Sequence, residues 1–85
     1  MGFRAKLTGR WLRANRRKKG RKIKDAPKVI SKAMLYCYES ETWPVNPQCI
    51  AKVAKAYDLD YGEMQELIEV IVKDYEQELL RAVKG

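Results

Sequence analysis

At 85 residues, with 18 Lys or Arg against 11 Asp or Glu and a net charge of +7, the chain has room for one small domain. No run of about 18 apolar residues occurs, so no transmembrane helix is expected, and the basic start is not followed by the apolar stretch of a secretory leader. Met1-Gly2 is followed at position 6 by Lys6, where a myristoylation signal has Ser or Thr. There is no His, and Cys37 and Cys49 are the only cysteines. A four-ligand zinc site therefore cannot be assembled, and the commonest general base is missing, as is the His partner that activates a nucleophilic Cys. The expectation is a non-enzymatic binding protein with no cofactor, in the cytoplasm, in the nucleoid or nucleus, or within a virion.

Charge divides the chain. Residues 1–24 hold eleven Lys or Arg and no acid, whereas residues 25–85 hold seven Lys or Arg and eleven Asp or Glu, net −4. This predicts a basic arm, 1–24, and a helical domain, 25–85. In the arm, Phe3, Leu7 and Trp11 recur at every fourth position among cations, which predicts a short amphipathic helix. Gly9 weakens that helix by roughly 1 kcal/mol relative to Ala. From Arg16 to Lys24 the density of like charge predicts an extended, solvated run.

The domain opens with Asp25-Ala26-Pro27, an N-cap and a first-turn proline. Val29, Ile30, Ala33, Met34 and Cys37 then repeat with helical period to about Tyr38 or Glu39. Trp43, held extended by Pro44, is expected to fold back onto the core. Asn46-Pro47 starts a second helix whose buried side is Ile50, Ala51, Val53, Ala54 and Tyr57, ending at Asp58. Asp60 and Glu63 form a capping-box pattern for a third helix, Tyr61 to about Val83. Its apolar stripe is Met64, Leu67, Ile68, Ile71, Tyr75, Leu79 and Val83. Cys37 and Cys49 sit in apolar, helix-like surroundings and are expected as buried free thiols, a disulfide being the alternative. The fold class is all-α.

Within residues 48–71, the order Ala54, Tyr57, Asp58-Leu59-Asp60, Met64, Leu67 resembles a helix-turn-helix of the DNA-binding superfamily. The resemblance implies a three-helix domain in which the long C-terminal helix reads bases, with Tyr61 and Gln65 as the candidate readers. Asp58 stands where that motif has Gly. Glu63, Glu66 and Glu69 stand on a helix that would have to pass between phosphates, which repel them. Arg16 to Lys24 is similar to the arginine-rich segments of viral and phage nucleic-acid-binding peptides.

The candidate nucleic-acid contacts are Arg10, Trp11, Arg13, Arg16, Arg17, Lys18, Lys19, Arg21, Lys22 and Lys24, with Tyr61 and Gln65. Cations neutralise phosphates and release counterions; Trp11 and Phe3 could stack on bases or wedge between them. The expected partner is nucleic acid, DNA ahead of RNA, bound by a small regulator or packaging accessory of phage, virus or mobile-element type. The alternative is a protein-interaction adaptor, such as a virion component or a modulator of a polymerase-like machine. A membrane partner ranks last. The length of the third helix leaves Tyr75, Leu79, Leu80 and Val83 beyond the reach of two shorter helices and predicts a homo-oligomer.

Overall fold

The computed structural model describes residues 5–84, which fold into four α-helices with no strand among them. They are α1 (Lys6–Lys18), α2 (Lys32–Glu39), α3 (Ile50–Ala56) and α4 (Tyr61–Lys84), with 3-10 turns at Ile23–Asp25 and Pro47–Cys49. The expectation for Phe3 falls outside the described residues. At 24 residues, α4 is about 36 Å long and sets the long dimension of the molecule, 41 Å.

The charge divide at residue 24 is not a divide in packing. Leu12 and Ile23 from the basic segment share one core with Leu35, Tyr38, Val45, Val53, Tyr57 and Leu67. Helix α1 packs on both α2 and α4. Its buried face is Thr8, Gly9, Leu12 and Asn15, while Leu7 and Trp11, the residues whose spacing predicted the helix, are only half-buried. The expected solvated run from Arg16 to Lys24 is instead the end of α1, a turn at Gly20 and a 3-10 turn that buries Ile23.

Helix starts follow local chemistry. Ser31, not Asp25, caps α2, its hydroxyl accepting from the Met34 N–H at 3.2 Å. Asp25 accepts from the Lys22 N–H at 3.1 Å and closes the 3-10 turn. The late start shifts the buried side of α2 to Leu35, Tyr38 and Glu39 and leaves Val29 and Ala33 exposed. Asn46 caps the Pro47–Cys49 turn that leads into α3, accepting from the Cys49 N–H at 3.0 Å. The capping box of α4 is formed: Glu63 N–H donates to Asp60 at 2.8 Å and Asp60 N–H to Glu63 at 3.1 Å. Trp43 is not a core plug. It is about half exposed, and Val45 fills the core beside it. On α3, Val53, Ala56 and Tyr57 are buried while Ala51 is exposed. Cys37 and Cys49 are free thiols, both half-buried.

The three shorter helices stop in the same way. After each, one residue takes the left-handed conformation: Gly20 (φ 67°), Glu41 (φ 67°) and Asp58 (φ 51°). In each case the next N–H reaches back to a carbonyl five residues earlier: Arg21 to Arg16, Thr42 to Cys37 and Leu59 to Ala54. This pairing satisfies carbonyls that a helix end would otherwise leave bare. Only Gly20 adopts the conformation without a Cβ penalty.

The start of α1 depends on tertiary structure. Ala5 provides no side-chain cap. The buried Asp74 of α4 takes its place, accepting from Leu7 N–H at 3.0 Å, Thr8 N–H at 2.8 Å and the Thr8 hydroxyl at 2.7 Å. A carboxylate suits the positive end of a helix dipole. The contact fixes α1 along α4, and so fixes which cations of α1 face outward.

Candidate nucleic-acid interface

With Leu12 and its neighbours inward, Lys6, Arg10, Arg13 and Arg17 lie on the opposite side of α1, all exposed. Their spacing of four, three and four residues places them on one ridge of the helix, about 16 Å from first to last. Two of them sit near acids: Arg10 is 3.8 Å from Glu41, and Arg13 is 4.0 Å from Glu39. The Arg10 pair faces solvent and is worth at most about 1 kcal/mol; Arg13 is exposed and only at the edge of contact with the buried Glu39, whose closer partners are Arg16 and Tyr57, so phosphate can compete for both arginines. Lys18 at the last position of α1, and Lys22 and Lys24 beyond it, continue the exposed positive surface, with Arg21 half-buried. A shallow groove beside the ridge is lined by Arg13, Arg17, Tyr36 and Ser40 among others. Tyr36 presents an exposed ring there.

Two of the predicted phosphate ligands point the other way. Arg16 forms a two-pronged contact with the buried Glu39, Nε at 2.8 Å and Nη2 at 2.9 Å, and donates through Nη1 to the Arg21 carbonyl at 3.0 Å. The Tyr57 hydroxyl donates to the same Glu39 carboxylate at 2.7 Å. Helices α1, α2 and α3 are thereby joined at one carboxylate. The hydrogen bond to Glu39 raises the Arg16 pKa. Burial, followed by the bond to Glu39, pushes the Tyr57 phenol well above its ordinary range, so it stays a donor.

Lys19 is the second. Its ammonium donates to the Tyr57 carbonyl at 3.2 Å, the Asp58 carbonyl at 2.8 Å and Glu63 at 3.0 Å. It thus covers the bare carbonyls at the end of α3. Asn15 donates to the other oxygen of Glu63 at 2.6 Å. Arg16 and Lys19, expected among the nucleic-acid contacts, are therefore engaged by partners within the fold. The sequence signal was ambiguous because a cation in a basic run looks the same whether its acceptor is a phosphate or a carboxylate brought from a distant helix.

Trp11 packs against the core edge and is half-buried, so it offers less ring surface than the free stack the sequence predicted. Tyr61 and Gln65 are both exposed at the start of α4, with Glu66 and Glu69 exposed beside them. No family model matches this chain, and no curated protein or solved structure does. The candidate site therefore rests on the chain's own geometry. Lys6 and Tyr36 belong to it and were missed. The signal for Lys6 was present in the spacing of cations along α1, which tracking the apolar residues Leu7 and Trp11 concealed. The exposed side of Tyr36 follows from the start of α2 at Ser31. Among the described residues no His, Cys, Asp or Glu cluster could hold a metal ion, and no helix is long and apolar enough to cross a membrane.

Glu63 carries a pH signature. The Lys19 ammonium, then the Asp60 N–H and the Asn15 amide, hold its pKa down to about 2 from an ordinary 4.5. A depressed carboxylate contributes stability that is complete above the unfolded value and lost as pH falls through the folded one. The thermal midpoint is expected to fall between pH 4.5 and pH 2, and the Glu63→Gln variant to fall less steeply over that window. Equal slopes for the two proteins, followed by circular dichroism, would show that Glu63 does not carry the effect.

Proposed function

We propose that this chain is a non-catalytic nucleic-acid-binding protein that grips the phosphate backbone with the outer ridge of α1. The observation that carries the reading is the alignment of Lys6, Arg10, Arg13 and Arg17 on a helix whose opposite face is anchored in the core. A rigid cationic ridge loses less freedom on binding than a solvated arm, because its backbone is already ordered. Lys18, Lys22 and Lys24 extend the contact, and Tyr36 offers a ring at its margin. A small regulator or packaging accessory of phage, virus or mobile-element type fits such a surface.

Base reading is the minor part of the proposal. Helices α3 and α4 follow one another across the left-handed Asp58, the order a helix-turn-helix reading would use, and Tyr61 and Gln65 are exposed at the start of α4. Glu66 and Glu69 lie exposed on the same helix and oppose its entry between phosphates. Binding is accordingly phosphate-led and weakly selective for sequence.

Four to six ridge contacts with duplex DNA predict a log K against log salt slope of about −4 to −5. The Arg10→Ala, Arg17→Ala double variant should reduce that slope by about two while leaving the thermal midpoint within a few degrees of the parent. Fluorescence anisotropy with labelled duplex, across a salt series, measures both. A salt-independent affinity, or a slope unchanged in the double variant, rejects the ridge as the binding surface.

A further inference from the structure

A groove of about 390 Å3 runs beside the α1 ridge, where α1 packs on α2. That size falls in the range of small-ligand clefts, about 300–1,000 Å3. Helix α1 lines it with Arg13, Arg16 and Arg17, and α2 with Tyr36 and Glu39. The Tyr36 ring is 61% exposed there. A single exposed tyrosine on a surface needs no explanation. One that shares a groove with three guanidiniums does, because a flat ring beside cations matches both the base and the phosphate of a nucleotide.

The charge of the groove turns on Glu39. It is the one acid among the lining residues. Its buried carboxylate is already held by both prongs of Arg16 and by the Tyr57 hydroxyl. Arg13 and Arg17 are exposed and stand one turn apart on α1. The groove therefore presents two open cations and an open ring, with no open carboxylate to repel a phosphate.

We infer that this groove takes an unpaired base of a nucleic-acid strand, stacked on Tyr36, with the flanking phosphates on Arg13 and Arg17. This rests on the α1 ridge being the phosphate-binding surface, and it specifies the form of nucleic acid that the ridge meets. Inside a duplex the faces of each base are covered by its neighbours, so a ring beside the ridge finds nothing to stack on. A single strand offers those faces. Arg13 and Arg17 are about 6 Å apart along α1, between one and two nucleotide steps of a strand at about 3.4 Å each. A strand following the ridge thus carries a base past Tyr36. Ser40, which also lines the groove, has its hydroxyl bonded to the Cys37 carbonyl at 3.1 Å and to Thr42 at 2.8 Å, so it is not free to read a base edge. Stacking without edge reading tolerates any base. An acidic polypeptide would satisfy the two arginines but leave the Tyr36 ring unmatched.

Fluorescence anisotropy tests this with a short unstructured labelled strand and with the duplex it forms with its complement, at one salt concentration. Cations alone favour the duplex, whose charges are spaced about half as far apart along the axis. With the ring in place the parent is expected to bind the strand at least as tightly as the duplex. Tyr36→Ala should weaken strand binding about tenfold, in the range for one stacked base, and duplex binding by under about twofold. Tyr36→Trp should keep the strand affinity. The site is exposed, so the helical circular-dichroism signal should be unchanged in both variants. Equal losses for strand and duplex, no loss for either, or a Tyr36→Trp protein as weak as Tyr36→Ala overturns base stacking. The ridge then still stands if duplex binding keeps its salt slope. Absence of salt-dependent binding to either form overturns ridge and groove together. Polyglutamate that binds as tightly as the strand, and loses as much on Tyr36→Ala, gives the groove to an acidic polypeptide and overturns the nucleic-acid assignment.

Discussion

Replacing Glu39 by Ala is expected to cost about 3–5 kcal/mol of folding stability, the range for breaking a buried pair by removing one partner. Glu39 is 4% exposed and sits where α2 meets α1 and α3. Its carboxylate receives Arg16 at 2.8 and 2.9 Å and the Tyr57 hydroxyl at 2.7 Å. Removal leaves the half-buried Arg16 guanidinium with only the Arg21 carbonyl as acceptor and the Tyr57 phenol with none, and the neutral phenol cannot compensate the charge. The change in the thermal midpoint should be about 15–30 °C for a domain of this size. Since small domains hold only about 5–15 kcal/mol in total, a substantial unfolded fraction at 37 °C is expected. Glu39→Gln, which keeps an acceptor for Tyr57 but loses the charge, should cost less. Pairing Glu39→Ala with Arg16→Met should recover part of the loss, because it removes the stranded cation. Urea titrations of the three variants give the values. A Glu39→Ala loss under about 1 kcal/mol would show that water reaches the cluster and that Arg16 is free to turn outward.

Gly9→Ala is expected to destabilise by about 2 kcal/mol or more, against the helix-propensity rule. In an exposed helix interior the change would stabilise by about 1 kcal/mol. Here a Cβ would lie 2.6 Å from the Tyr38 carbonyl oxygen, 2.9 Å from Glu41 Cγ and 3.2 Å from the Glu41 N–H nitrogen. Two of these are backbone atoms at the end of α2, where Glu41 already occupies the left-handed region. Its N–H bonds the Tyr38 carbonyl at 3.2 Å. That turn cannot yield without breaking its own hydrogen bonds, so α1 must move away and take Leu12 with it. Overpacking of this kind costs about 1–3 kcal/mol, with the disturbed core added. The propensity gain of about 1 kcal/mol offsets only part of it. The sign of the change, read from a thermal or urea melt, decides between the two accounts. A more stable Gly9→Ala protein would mean that α1 does not pack against α2 at this crossing.

Local chemistry in the sequence sufficed for the all-α class, the Asn46 cap, the capping box of Asp60 and Glu63, and the span of α4. Each depends on residues within one turn of each other, and α4 has both a complete start signal and a long unbroken period. Asp58 takes the left-handed conformation at the position where the resembled motif has Gly. Where local signals competed, they misled. Asp25-Ala26-Pro27 reads as a helix start, but its carboxylate closes a 3-10 turn, and Ser31 begins α2 in its place. Cation density read as solvation, yet the same segment supplies Leu12 and Ile23 to the core.

The sequence by itself determined that the first 24 residues are uniformly cationic and that the chain is helical. Only the tertiary structure decided which of those cations are available. A run of like charge repels itself until acids from elsewhere neutralise part of it, and here Glu39, Glu63 and Asp74, distant in sequence, hold the segment as a packed helix. Arg16 and Lys19 turn inward to the first two of those acids, while Lys6, Arg10, Arg13 and Arg17 remain outside. Nothing in the local spacing distinguishes the two sets, because inside and outside are fixed by the face that Leu12 buries and by Asp74 capping a helix 66 residues away from it in the chain.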